Sequence, residues 1–109
     1  MPFAKHPIIE RSSGLIVGYS GVAWFEFGGA ARLEFGYRLV PEARGVGYAT
    51  EAGLAVLSIA AGSFRGELLA MIDPRNLASK RVINKLGFAF WKVAEVNGFR
   101  DELYRRGVP

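Results

Sequence analysis

Between Leu33 and Ala52 the sequence passes from one backbone regime to another. Leu33 to Val40 alternates as a strand, Pro41 ends it, a loop carrying Gly45 and Gly47 follows, and Tyr48 to Ala52 opens a helix. A strand that feeds a glycine loop and then a helix start forms a cradle for an anion. Gly45 and Gly47 permit tight turns that aim several backbone N–H groups at one spot, and the helix adds the positive end of its dipole. Such a loop holds a phosphate or pyrophosphate on main-chain donors alone.

The 109 residues suffice for one domain, and 50% of them are apolar or aromatic, enough for a small buried core. No apolar run reaches the roughly 20 residues of a membrane helix. The opening Met1-Pro2-Phe3-Ala4-Lys5-His6-Pro7 lacks the apolar centre of a signal peptide, so a soluble cytoplasmic protein is expected. Cysteine is absent, which excludes disulfides, thiolate catalysis and the common zinc sites, and the single His6 cannot build a metal site by itself. A net charge of +4 favours phosphorylated partners. A small RNA-associated domain would rest on that charge alone, because no arginine-rich run or aromatic-interleaved basic patch points to nucleic acid.

Ile8 to Arg11 and Leu15 to Phe27 read as strands about the turn Ser12-Ser13-Gly14, and Gly28-Gly29 makes a tight hairpin before Leu33 to Val40 returns. From Gly47 a nearly all-apolar helix, with Leu54, Val56, Leu57 and Ile59, is expected to be buried, and Gly62 stops it. Glu67 to Ile72 is a short central strand. Asn76 caps a second helix whose stripe is Ala78, Val82, Ile83 and Leu86, and Gly87 closes it so that Phe88 packs back on Ile83. Phe88 to Val96 and Arg100 to Arg106 pair about Asn97-Gly98. The order β-β-β-α-β-α-β-β predicts an α+β fold, a mixed and mostly antiparallel sheet with two helices, as one domain over residues 1–109.

Three ligand classes suit the glycine loop. A P-loop needs Lys and Ser or Thr after its last glycine, where Tyr48-Ala49 stands, and a dinucleotide fingerprint needs a third small residue where Thr50 stands. The third class fits. Arg44-x-x-Gly47-x-Ala49 coincides with the acetyl-CoA pyrophosphate pattern Gln/Arg-x-x-Gly-x-Gly/Ala of the GNAT acetyltransferases. With Gly36-Tyr37-Arg38-Leu39, Pro41-Glu42, Tyr48-Ala49-Thr50-Glu51-Ala52 and Asp73-Pro74-x-Asn76-x-x-Ser79-x-x-Val82-x-x-Lys85-Leu86-Gly87-Phe88, nearly the whole chain resembles that family, in particular the branch that acetylates ribosomal-protein N-termini and related amines.

The resemblance implies that Leu33 to Val40 and Glu67 to Ile72 splay into a V that admits the pantetheine of acetyl-CoA. Backbone groups near Leu39 and Val40 would pair with it as an added strand. The N–H groups of Arg44, Gly45, Val46, Gly47, Tyr48 and Ala49 would hold the pyrophosphate. The Arg44 side chain is either a direct phosphate contact or an exposed loop arginine, and Tyr48 is also a packing residue. Asn76 would lie beside the pantetheine arm while capping its helix, and Lys80, Arg81 and Lys85 are candidates for the 3′-phosphate.

The reaction so implied is direct attack of a neutral amine on the acetyl thioester, which requires a base for the ammonium and an acid for the leaving thiolate. Many relatives take the acid from a Tyr seven residues after the Asn, where this chain has Ile83. Ser79 is the substitute acid that the resemblance offers. Glu34 is the candidate base, Glu26 a second, and Met71 holds a position where some relatives place a carboxylate. The rival expectation is a degenerate module that binds CoA or oligomerises without turnover. The chain starts where the family's second strand would lie, and the edge and apolar surface so uncovered would be buried in a homodimer or higher oligomer. No metal is expected, and the acceptor is an amine on a peptide or small molecule.

Overall fold

Two tight hairpins organise the sheet. At Gly28-Gly29 the φ angles are 61° and 79°, and at Asn97-Gly98 they are 51° and 82°. Paired positive φ values match the twist of the flanking strands, so each turn joins its neighbours in direct register, Phe27 against Ala30 and Val96 against Phe99. The computed structural model describes residues 5–108. Met1 to Ala4, part of the opening read above for a signal peptide, and Pro109 lie outside the described residues.

The strands are β1 (Lys5–Ile9), β2 (Ile16–Phe27), β3 (Ala30–Leu39), β4 (Gly66–Ile72), β5 (Ala89–Val96) and β6 (Phe99–Val108), with helices α1 (Tyr48–Ala61) and α2 (Leu77–Lys85). A short 3-10 turn over Pro41–Ala43 leads from β3 into the loop. In space the order is β1-β2-β3-β4-β6-β5, antiparallel everywhere except between β3 and β4. The expected order of elements therefore holds. The first strand lies earlier than its apolar residues suggest, because Glu10 is drawn into the turn: its carbonyl accepts from Gly14 at 2.8 Å and its carboxylate from the Ser13 hydroxyl at 2.7 Å.

Both helices cover one face of the sheet. Val22, Leu33, Phe35, Leu68 and Ala70 meet Val56 and Leu57 of α1 and Ile83 and Leu86 of α2 in one core cluster. The helices approach closely at Gly53, where an added Cβ would come within 2.6 Å of Leu86 Cδ1. α1 is not buried all round, contrary to what its composition suggests. Ala49, Gly53, Val56, Leu57 and Ala60 face the core, whereas Leu54 and Ile59 stay 56% and 49% exposed. A single sheet face can cover only one side of a helix.

α2 is closed at both ends by its own sequence. The Asn76 carboxamide oxygen accepts from the Ser79 N–H at 3.0 Å. At the other end Gly87 is left-handed (φ 87°), the Phe88 N–H reaches the Ile83 carbonyl at 3.1 Å, and the Gly87 N–H reaches Asn84 at 3.0 Å. Phe88 turns into the core beside Phe35, with ring centroids 5.7 Å apart.

Candidate active site

The parallel seam between β3 and β4 is short. Only Leu33 with Leu68 and Glu34 with Leu69 are paired, after which β3 runs on to Leu39 and β4 to Ile72 without further pairing. The two strands thus diverge toward the glycine loop and leave a V in the middle of the sheet. Strand alternation turns the main chain of Tyr37 and Leu39 toward this gap and that of Arg38 and Val40 toward β2. The Val40 N–H is bonded to the Val17 carbonyl at 2.9 Å, and the Val40 carbonyl accepts from Ala43 at 3.0 Å. Its backbone is therefore unavailable to an added strand, which corrects the pairing expected at Val40. The Leu39 carbonyl accepts from the Arg44 guanidinium at 3.2 and 3.3 Å, so the N–H of Leu39 is the group that faces the gap.

The loop has the form its glycines require. Gly45 and Gly47 adopt φ values of 79° and 89°, and no atom stands within 4 Å of where their Cβ would be. The side of the loop that a ligand would approach is open. Gly47 is the N-cap of α1 and supplies no side chain, so the first N–H groups of the helix, from Tyr48 to Thr50, are left for another acceptor. Gly45, Gly47 and Ala49 line a cleft of about 460 Å³ between this loop and α2. Val46 is not among its lining residues and is 63% exposed. The Tyr48 side chain ties the helix to the β1–β2 turn, its hydroxyl donating to Glu10 at 2.8 Å, so only its backbone faces an anion. The Arg44 guanidinium is folded onto Leu39 while still lining the cleft. Arg81 and Lys85 also line it, but Lys80 does not: it is paired with Glu102 at 3.1 Å.

A second cleft, of about 300 Å³, opens through the V toward the opposite face of the sheet. Lys5, Tyr19, Glu34 and Met71 line it, and Tyr37, Asn76 and Ser79 line both clefts. At this junction the Tyr37 and Ser79 hydroxyls are 3.0 Å apart. Ile83, on the next turn of α2, is buried in the core at 1% exposure and has no chemistry to offer. Tyr37 places a phenol beside Ser79, a juxtaposition that its sequence motif did not reveal. The usable signal was strand alternation, which sets Tyr37 on the face of Leu33 and Phe35 and hence toward α2.

Glu34 faces the second cleft, half-buried, and burial pushes its carboxyl above the usual carboxylate range. The positive charge of Lys5 opposes that shift and the negative charge of Asp101 reinforces it. Glu26, the second candidate base, lies opposite Ala31, near the far hairpin, and borders neither cleft. Behind Tyr37 a polar row crosses the sheet: His6 pairs with Ser20, and Ser20 with Tyr37. His6 Nε2 and Ser20 Oγ are buried there without a hydrogen-bond partner among the described residues.

Residues 3–89 match the model of the acetyltransferase (GNAT) domain. The chain belongs to the GNAT acetyltransferase family. In sequence this GNAT domain is 28% identical over 106 residues to the uncharacterized N-acetyltransferase YnaD of Bacillus subtilis, covering 92% of the chain and 61% of that relative. It therefore spans less than two thirds of YnaD's length. A putative GNAT-family acetyltransferase from Bordetella pertussis superposes with a TM-score of 0.84 at 25% identity, over 94% of this chain and 65% of that one. Two further structures each give a TM-score of 0.75 at 21% identity, over 92% of this chain and 58% of theirs. One is a phosphinothricin acetyltransferase from Sinorhizobium meliloti in complex with acetyl-CoA, the other a ribosomal-protein-S5-alanine acetyltransferase from Vibrio fischeri. These two establish the fold, and the ribosomal-protein branch is one neighbour among several.

Proposed function

We propose that the domain transfers an acetyl group from acetyl-CoA to a primary amine by direct attack, with Glu34 as base and Ser79 as acid. The observation that carries this reading is the meeting of the two clefts at Tyr37, Asn76 and Ser79 inside the V. A donor entering along the loop and an acceptor entering past Glu34 would have their reacting groups at that point. The pyrophosphate would rest on the N–H groups of the loop and of the first turn of α1, with Arg81 and Lys85 as the nearby cations. The pantetheine would take the Leu39 N–H in the manner of a strand, and Asn76 would flank it.

Glu34 takes a proton from the acceptor ammonium, the nitrogen lone pair bonds to the thioester carbon, the C–S bond breaks, Ser79 gives a proton to the sulfur, and the nitrogen's second proton leaves through solvent, which restores Ser79. A carboxyl raised by burial is better matched to this work near neutral pH than an ordinary one. The acceptor belongs to the amines of peptides or small molecules. Self-association through exposed apolar side chains such as Trp24, Leu54 and Ile59 is part of the same reading.

Calorimetry with acetyl-CoA, followed by thiol release against a panel of amines and peptides, tests the proposal. Binding together with amine-dependent thiol release supports it. Binding without turnover would mark a CoA-binding module, and no binding would remove both.

A further inference from the structure

Lys5, Gly21 and Gly36 stand side by side in register across β1, β2 and β3. Directly opposed residues in antiparallel strands put their side chains on one face, so the Lys5 stem leaves β1 over two positions that have no side chain. The two glycines form a lane across the sheet. Its far end is occupied by the Lys5 ammonium, because a Cβ added to Gly36 would come within 2.5 Å of Lys5 Nζ. The next pair along the same face is Ala23 with Glu34, so the lane runs beside the Glu34 carboxylate. It ends in the second cleft, which Lys5, Glu34, Tyr37 and Ser79 all line.

A primary amine at that place, next to the group assigned as base, has the position of an acceptor. We propose that Lys5 is a self-acetylation site, its ε-amine taking an acetyl group intramolecularly from acetyl-CoA bound across the V. This inference rests on the acetyl-transfer reading above. In the step, the Lys5 ammonium gives a proton to Glu34, and the freed lone pair forms the N–C bond to the thioester carbonyl. The C–S bond breaks with its electrons on the CoA sulfur, the nitrogen gives up its second proton to solvent, the thiolate takes a proton from the Ser79 and Tyr37 hydroxyl pair, which recovers it from solvent, and Glu34 releases its proton. The products are Nε-acetyl-Lys5, CoA thiol and one proton. The modified side chain is longer and uncharged, so it obstructs the cleft and withdraws the cation beside Glu34.

The test incubates the chain with acetyl-CoA at two protein concentrations and follows each lysine by peptide mass spectrometry, with Lys80 and Lys92, which line neither cleft, as internal controls for chemical acetylation. A positioned amine gains from proximity, so Lys5 should be modified about tenfold or more faster than the controls. Its rate constant should not depend on protein concentration, and it should fall in Glu34→Gln. Gly36→Ala, which fills the end of the lane, should slow Lys5 modification while acetyl-CoA still binds. Modification of Lys5 no faster than the controls, or at a rate proportional to protein concentration, would overturn the proposal. Thiol release with an added amine while Lys5 stays unmodified would overturn it and leave the acetyl-transfer reading standing. Failure to bind acetyl-CoA in calorimetry would overturn both.

Discussion

The Tyr37 hydroxyl on β3 and the Ser79 hydroxyl on α2, 42 residues apart in the chain, share a hydrogen bond of 3.0 Å at the point where the two clefts meet. The contact ties a strand hydroxyl to a helix hydroxyl. Proton transfer by a positioned side chain contributes about 10²- to 10⁴-fold to a rate, so Ser79→Ala is expected to lower kcat by about 100-fold. Tyr37→Phe should lower it less, and the double variant should lose less than the product of the single losses, as partners in one contact do. Thiol-release kinetics on the four proteins measure this coupling, and strictly multiplicative losses would separate the two hydroxyls.

Glu34 works as a base only when ionised, and its carboxyl titrates above the ordinary value of 4.5. The rate should therefore fall on the acid side at a higher pH than an exposed carboxylate would give. Lys5 pulls this value down, so Lys5→Ala should move the acid limb up for the same acceptor. An unmoved limb in Lys5→Ala would remove Glu34 from the reaction.

The same carboxyl affects folding. A folded-state value above the unfolded one gives stability that is fully present below the unfolded value and lost as pH rises through the folded one. Glu34→Gln carries no such charge. It should melt higher than the wild type at neutral pH, and the difference should shrink as pH falls toward 4.5. Thermal unfolding at several pH values reads the sign directly.

Ser20 is 1% exposed and its hydroxyl has no partner among the described residues. An unsatisfied buried hydroxyl costs about 1–3 kcal/mol, so Ser20→Ala should stabilise the protein by about 1 kcal/mol in denaturant unfolding. A loss of that size would mean instead that a buried water satisfies the group.

Gly47 stands at φ 89° with open space around it. Gly47→Val would place a branched side chain in a left-handed conformation and in the path of the anion, at a cost of about 1–3 kcal/mol in stability. Acetyl-CoA affinity should fall by at least about tenfold, the weight of about 1.4 kcal/mol. Unchanged affinity in a folded variant would move the pyrophosphate site elsewhere.

Much of this arrangement was readable from the chain because its signals are local. Gly28-Gly29, Asn97-Gly98, Asn76 and Gly87 each act within a few residues, and each turn or cap formed where its chemistry requires. Long-range outcomes were harder to read. Whether Leu54 is covered depends on which elements reach α1, and whether Val40 is free depends on Val17 across a strand pair. The same limit hid Tyr37, whose importance comes from Ser79. Lys80 and Arg81 are neighbours with the same charge, but the turn of α2 sets Arg81 with Ala78, Val82 and Lys85 on the cleft face and leaves Lys80 to pair with Glu102 on β6.

The two-pair seam between β3 and β4 divides the sheet into two ribbons, β1-β2-β3 and β4-β6-β5, each built of antiparallel pairings. The β2–β3 and β5–β6 hairpins close small loops and form early, whereas the seam, like the β4–β6 pairing, joins residues far apart in the chain and holds them with two pairs against the seven of β4–β6. The corner between the ribbons should therefore assemble last and open first, and amide exchange should be fastest there. A ligand that bridges the V would act on the protein as a latch, slowing unfolding more than it speeds folding.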